Sequence, residues 1–277
     1  MNAKLFSVSG LLGAVVCLPW AFMCQADEFK RFPPPPSDSW FARTQTTNVI
    51  HWSGTNTQAT LIFMPGGDGQ FNMKYAVPKM FMRGIGSVTS ALADSSQTRG
   101  VIDGVFFDSV LPLQGTGFND WPSARTQRDH LERIEMVVRH YKAQTGQPVW
   151  LMGHSNGSFS VAEFVKHLQK KDEAGLLSGI VLSGSRDVVS FNGPLNLPIL
   201  FIHHREDGCS TTSYTDAQRT FEKVKKINAQ RTVFVTVEGG MSQGGHPCFN
   251  GTHMMNGLYM QMSQIIEEFI LEQSLKN

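Results

Sequence analysis

The chain has 277 residues, with 24 Lys and Arg against 23 Asp and Glu and a formal charge of +1 at pH 7. That near-zero balance argues against nucleic acid or an anionic surface as the partner. The length is that of one large domain able to bury a full core.

Residues 1–26 read as an export signal. Lys4 supplies one positive charge, residues 11–18 an apolar core that runs on to Met23, and Cys24-Gln25-Ala26 a small-residue exit. The core is too short to cross a bilayer of about 30 Å comfortably, so no stable membrane anchor is expected after cleavage. Cleavage after Ala26 leaves 277 − 26 = 251 residues, with 23 basic and 23 acidic side chains once Lys4 is gone. Cys17 and Cys24 leave with the signal, so Cys209 and Cys248 remain. An even pair in an exported chain reads as one disulfide, with two free thiols as the alternative. A periplasmic or secreted location is the corresponding expectation.

Residues 27–45 form a polar arm in which Pro33-Pro34-Pro35-Pro36 is stiff and extended. The catalytic domain is expected over 46–277. Its first two β-rich runs, 46–52 and 59–64, read as a hairpin. Strands and helices then alternate: a helix over 79–93, a strand over 101–110, and an amphipathic helix over 123–143 with Leu131, Ile134, Val138 and Tyr141 on one stripe. A strand over 148–152, a helix over 155–169 and strands over 179–183 and 197–203 follow. The chain closes with a helix over 212–227, a strand over 232–237 and a last helix over 255–271. This alternation implies a mostly parallel sheet with helices on both faces, and the opening hairpin would add an antiparallel edge.

Gly-x-Ser-x-Gly occurs twice, at Gly153-His154-Ser155-Asn156-Gly157 and at Gly240-Met241-Ser242-Gln243-Gly244. Only the first follows a buried strand and opens a helix, the order a nucleophile elbow needs. The second runs into Gly245-His246-Pro247 and reads as a loop. A serine hydroxyl at its ordinary pKa needs a base, and the base needs an acid to orient it. After Ser155 the acids at a strand end are Glu206 and Asp207, and the later histidines are His246 and His253. Oxyanion donors are expected from the N–H of Asn156 and from Gly67 or Asp68, in the glycine-rich turn after residues 61–65. His203 and His204 are expected to shape the acid's loop, and His154 either packs or borders the pocket. There is no His-x-His or His-Glu-x-x-His spacing, so neither a metal nor another cofactor is expected. The sequons at Asn156 and Asn250 fall in the same region, where a glycan would block access, so either they are unused or the host does not glycosylate.

Taken together, Gly66-Gly67-Asp68-Gly69, Pro148-Val149-Trp150-Leu151 before Ser155, His203-His204-Arg205-Glu206-Asp207-Gly208-Cys209, and Pro247-Cys248 before His253 resemble a family of bacterial exported α/β hydrolases. The similarity runs from about residue 59 to the C-terminus. It implies the α/β-hydrolase fold, Asp207 as the acid and His253 as the base, with Glu206 and His246 in reserve. The family has glycine directly after that histidine, where this chain has Met254. The resemblance implies that a Cys209–Cys248 bond would pin the acid's loop to the histidine's loop. The expected activity is hydrolysis of a small-molecule carboxylic ester through an acyl-enzyme. A peptidase or thioesterase on the same residues, or a binding protein that has lost catalysis, is the alternative.

Overall fold

The computed structural model describes residues 28–36, 43–69, 88–94, 99–108, 121–228, 232–242, 244–249 and 251–274. The export signal, the first part of the helix expected over 79–93, the end of the strand expected over 101–110, and Asn250 lie outside the described residues.

In chain order the elements are β1 (Glu28–Phe32), β2 (Thr47–Trp52), β3 (Ala59–Met64), α1 (Val88–Ala93), β4 (Ile102–Asp108), α2 (Trp121–Arg125) and α3 (Arg128–Thr145). They continue with β5 (Val149–His154), α4 (Asn156–Lys170), β6 (Gly179–Ser183), β7 (Ile199–His204), α5 (Tyr214–Ile227), β8 (Thr232–Val237) and α6 (Tyr259–Ser274). The strands form one eight-stranded sheet in the order β1-β2-β4-β3-β5-β6-β7-β8. From β3 onward every pairing between strands of the main block is parallel.

The antiparallel N-terminal hairpin is made by β1 and β2, and β2 also pairs antiparallel with β4. The run 59–64, expected to return against 46–52, instead pairs parallel with β4 and β5. The reason is burial. Every residue of β3 is buried, so the strand belongs inside the sheet, where a neighbour covers each edge. Part of the segment read as an arm is therefore a strand, with Pro33 directly after β1, where its missing N–H leaves the ladder intact.

Alternate side chains of the central strands enter opposite cores, as the two-residue period of a strand requires. Ile62, Met64, Leu151, Ile180, Leu182, Ile199 and Phe201 pack with α3 and α4. Leu61, Phe63, Trp150, Met152, Val181, Leu200 and Ile202 pack with α1 and α6. The stripe expected on the third helix, Leu131, Ile134, Val138 and Tyr141, is buried. Leu258, just before α6, and Met262, Ile266 and Phe269 on it are buried, and Ile265 is half-buried against the same core. The single helix expected over 123–143 is two. It breaks at Thr126 and Gln127, where both the N–H and the hydroxyl of Thr126 turn back to the Ser123 carbonyl, at 3.2 and 2.8 Å. Gly146, at φ 68, ends α3. No helix among the described residues is long and apolar enough to cross a membrane.

Candidate active site

Ser155 joins β5 to α4 at φ 53, ψ −124, a backbone conformation that L-residues rarely adopt. The turn is held on several sides. The Ser155 N–H donates to the Ser183 carbonyl at 3.0 Å, and its carbonyl accepts from the Ser158 N–H at 2.9 Å and the Ser158 hydroxyl at 2.6 Å. The flanking glycines are required by close approach. A Cβ on Gly153 would lie 2.3 Å from the Gly157 carbonyl oxygen, and one on Gly157 would lie 2.0 Å from that of Met64. The helix therefore starts directly under the hydroxyl and directs its positive end toward it.

Asp207 follows β7, and its buried carboxylate gathers four polar groups. The His253 Nδ1–H reaches Oδ2 at 2.9 Å, and the Thr212 hydroxyl donates to the same oxygen at 3.1 Å. His203 Nε2 lies 3.3 Å from it while donating to the Thr212 carbonyl at 2.7 Å. Oδ1 accepts the Cys209 N–H at 3.0 Å. Burial pushes this carboxyl up, but the hydrogen bonds from His203 and His253 outweigh it and hold it well below the usual carboxylate range. It is thus an anion across the neutral range. His253 sits in the turn between β8 and α6, 2% exposed. With Nδ1–H facing the carboxylate, Nε2 carries the lone pair.

The imidazole lies beside the elbow. A Cβ on Gly184 would be 2.9 Å from His154 Cε1 and 3.6 Å from His253 Cε1. Gly184 directly follows Ser183, the residue that accepts the Ser155 N–H. His154 and His253 have ring centroids 4.9 Å apart, so His154 borders the site as well as packing. Burial, and then repulsion from His253, push His154 far below the ordinary imidazole range, and it stays neutral.

The turn after β3 runs along the nucleophile. A Cβ on Gly66 would be 2.8 Å from Ser155 Cβ and 3.4 Å from Oγ. This is the neighbourhood expected of Gly67 and Asp68. Asn156 is 5% exposed, and its amide Nδ2 donates to the Gly67 carbonyl at 3.0 Å. Its Oδ1 accepts from Arg186 Nη1. A side chain engaged at both ends leaves no place for a glycan.

No family model and no curated protein matches the chain. Among solved structures it is similar to a serine hydrolase without a lid from Xanthomonas campestris, at 12% identity and a TM-score of 0.57 over 88% of this chain and 94% of that one. It is similar to brefeldin A esterase, a bacterial homologue of human hormone sensitive lipase, at 10% identity and a TM-score of 0.60 over 90% and 77%. It is also similar to a soluble variant of the monoglyceride lipase from Saccharomyces cerevisiae, at 12% identity and a TM-score of 0.54 over 91% and 98%. The fold is that of the α/β hydrolases.

In this α/β-hydrolase fold the C-terminal ends of β5 and β7 and the turn before α6 bring Ser155, Asp207 and His253 to one edge. The reserve residues are both exposed. Glu206 is exposed, and its N–H donates to His204 Nδ1 at 3.0 Å; exposed His246 accepts the Cys248 N–H at 3.2 Å. The second glycine–serine motif is an exposed loop over Met241 and Ser242, tied down by the Met241 N–H on the Asn256 carbonyl. Cys209 and Cys248 are disulfide-bonded, with Cα atoms 4.5 Å apart. Met254 packs against the core beside α6, and Met255 takes the left-handed conformation, at φ 55, in the turn that carries His253. Among the described residues no three His, Cys, Asp or Glu side chains are arranged so that they could hold a metal ion.

Thr212, Arg125 and Arg186 were not legible as site residues, and His203 was read only as a loop-shaping residue. Thr212 sits one residue before the cap of α5 and looks like an ordinary helix-entry threonine. Arg125 lies on what reads as one continuous amphipathic helix over 123–143, off its apolar stripe. The one available signal was His203, four residues before Asp207 in a strand–turn stretch, where the chain can fold back on itself.

Proposed function

We propose that the protein is a serine hydrolase that cleaves small carboxylic esters by acyl transfer, with Ser155, His253 and Asp207 as its triad. The observation that carries this reading is the buried Asp207–His253 pair at 2.9 Å, whose ring lies against the residue next to the Ser155 turn. His253 Nε2 accepts the Ser155 proton as the hydroxyl attacks the ester carbonyl. Asp207 holds the imidazole with its proton on Nδ1 and stabilises the imidazolium that forms. The N–H groups of Asn156 and of Gly67 or Asp68 receive the charge that develops on the carbonyl oxygen. His253 then returns the proton to the leaving alkoxide, and water releases the acid by the same steps in reverse order. No metal or cofactor enters these steps.

The connection from β6 to β7, residues 184–198, contains no helix or strand, which supports an open cleft suited to small soluble esters. The export signal read over 1–26 and the disulfide support a periplasmic or secreted location. A fluorophosphonate probe is expected to label Ser155, and Ser155→Ala is expected to abolish both labelling and p-nitrophenyl ester hydrolysis. A folded wild-type protein that takes up no probe would instead indicate a binding protein on this fold.

The disulfide joins the segment two residues after Asp207 to the segment five residues before His253. On the chain-entropy account, closing a loop of this length stabilises by about 4 kcal/mol. Cys209→Ser with Cys248→Ser should lower stability by up to that amount in chemical denaturation. Reducing the bond in the folded protein should lower kcat more than it raises KM, because the acid and base would no longer share a tether. Unchanged turnover of a confirmed dithiol form would count against that coupling.

A further inference from the structure

Arg125 is entirely buried at the end of α2, and burial pushes its guanidinium down to about 9, with Asp68 acting in the opposite direction. An isolated charge in a protein interior is costly, and a packing role alone would be served better by an apolar side chain of the same size. What Arg125 touches explains its presence. Nη2 donates to the carbonyls of Pro65 and Gly67 at 3.2 and 3.1 Å, and Nη1 donates to Ser160 Oγ at 2.7 Å. Ser160 Oγ is in turn 2.9 Å from His130 Nε2, so the serine accepts from the arginine and links it to the imidazole. Burial pushes His130 well below the ordinary range, which keeps it neutral beside the guanidinium.

The carbonyls so held lie in the turn that passes Ser155. The Gly67 oxygen accepts from Arg125 Nη2 and from Asn156 Nδ2, which uses both of its lone pairs. The Gly66 oxygen accepts the Gly69 N–H at 2.9 Å. In a trans peptide the carbonyl and the following N–H point in opposite directions, so fixing an oxygen fixes the donor behind it. Hydrogen bonds to the oxygens of Pro65, Gly66 and Gly67 therefore set the N–H directions of Gly66, Gly67 and Asp68, beside the nucleophile. Asn156 takes part twice: its side chain holds Gly67, and its own N–H is the other proposed donor.

We infer that Arg125 is a positioning residue for acyl transfer, clamping the Pro65–Gly67 carbonyls so that the N–H groups of the β3 turn face the developing oxyanion. This rests on the acyl-transfer reading, and it extends the site inward through Ser160 and His130. The clamp acts only on reactions that develop negative charge in the oxyanion hole. Alkylation of a thiol at position 155 develops none there.

Two rates separate the clamp from general support. The first is phosphonylation of Ser155 by a fluorophosphonate in wild type, Arg125→Gln and Arg125→Lys. The second is alkylation by iodoacetamide of Ser155→Cys, with and without Arg125→Gln. Arg125→Gln is expected to slow phosphonylation at least about tenfold, given what one lost oxyanion donor costs. Arg125→Lys should recover part of that, and the alkylation rates should stay equal. Equal phosphonylation in wild type and Arg125→Gln overturns the inference, and so does a parallel loss in both reactions, which would mark a merely structural arginine. A wild-type protein that takes no probe sinks the acyl-transfer reading instead. Should Arg125→Gln not fold, Arg125→Lys, whose single ammonium lacks the fork that spans Ser160 and both carbonyls, decides by the same two rates, in Ser155 and in Ser155→Cys.

Discussion

Asp207→Asn is expected to lower kcat on p-nitrophenyl esters by on the order of 10⁴-fold while the protein stays folded. Oδ2 of Asp207 receives His253 at 2.9 Å, Thr212 at 3.1 Å and His203 at 3.3 Å, all groups with a proton to give. An amide has one oxygen for these donors. Its NH₂ group, turned to His253, would draw the lone pair to Nδ1 and leave the proton on Nε2, the nitrogen that must accept from Ser155. The base is then present but in the wrong tautomer. Acid titration gives a second readout with a definite sign. The wild-type carboxyl is held below its unfolded value, so its contribution to stability is complete above about pH 4, the unfolded range. That contribution is lost as the pH falls through the folded pKa. The variant lacks this component, and its stability should fall less steeply in acid. Retention of more than a tenth of wild-type kcat would remove Asp207 from the triad.

Gly157→Ala should be among the most damaging single substitutions in the protein, even though alanine is the better helix former by about 1 kcal/mol. The added Cβ would stand 2.0 Å from the Met64 carbonyl oxygen, 2.8 Å from its carbon and 2.9 Å from the Pro65 oxygen. All three are backbone atoms at the end of the fully buried strand β3, so no side chain can swing aside. Either α4 lifts off the sheet or β3 shifts, and both disturb the Ser155 turn and the Pro65–Gly69 turn together. A loss of about 4 kcal/mol or more is expected, the range of severe core lesions, read as a large drop in melting temperature or in soluble yield. A variant with wild-type melting temperature and activity would show that the approach of α4 to β3 is looser than described. By contrast Gly175, whose Cβ would meet nothing within 4 Å, should accept alanine without loss.

Much of the layout was legible because strand and helix periodicities are local. The short continuous apolar runs of β5, β6 and β7, set between longer helical patterns, read as interior parallel strands, and the stripe on α3 as a core-facing one. Boundaries moved by a few residues where caps decide them. α5 begins at Tyr214 because the Ser213 hydroxyl accepts the Asp216 N–H, two residues later than apolar pattern suggests. The pairing of 46–52 with 59–64 was misjudged because both runs are β-rich and close in sequence. Nothing local records that β4, some 40 residues further on, would come between them.

The sequence by itself determined the chemistry available at the site: a serine in a strand–turn–helix, a carboxylate after a later strand, a histidine before the last helix and two cysteines beside them. These are covalent and local facts, and order along the chain is enough to state them. The residue pattern taken by itself left Glu206 and His246 open beside the pair that the resemblance implied, and the tertiary structure put Asp207 against His253. Asp207 and Glu206 are adjacent in sequence, yet successive residues beyond a strand end point in different directions, so one is buried under four polar groups and the other faces water. It also decided that Arg125 belongs to the site at all. A guanidinium reaches two carbonyls some 60 residues away only after β3 and α2 have packed, and no spacing along the chain encodes that meeting.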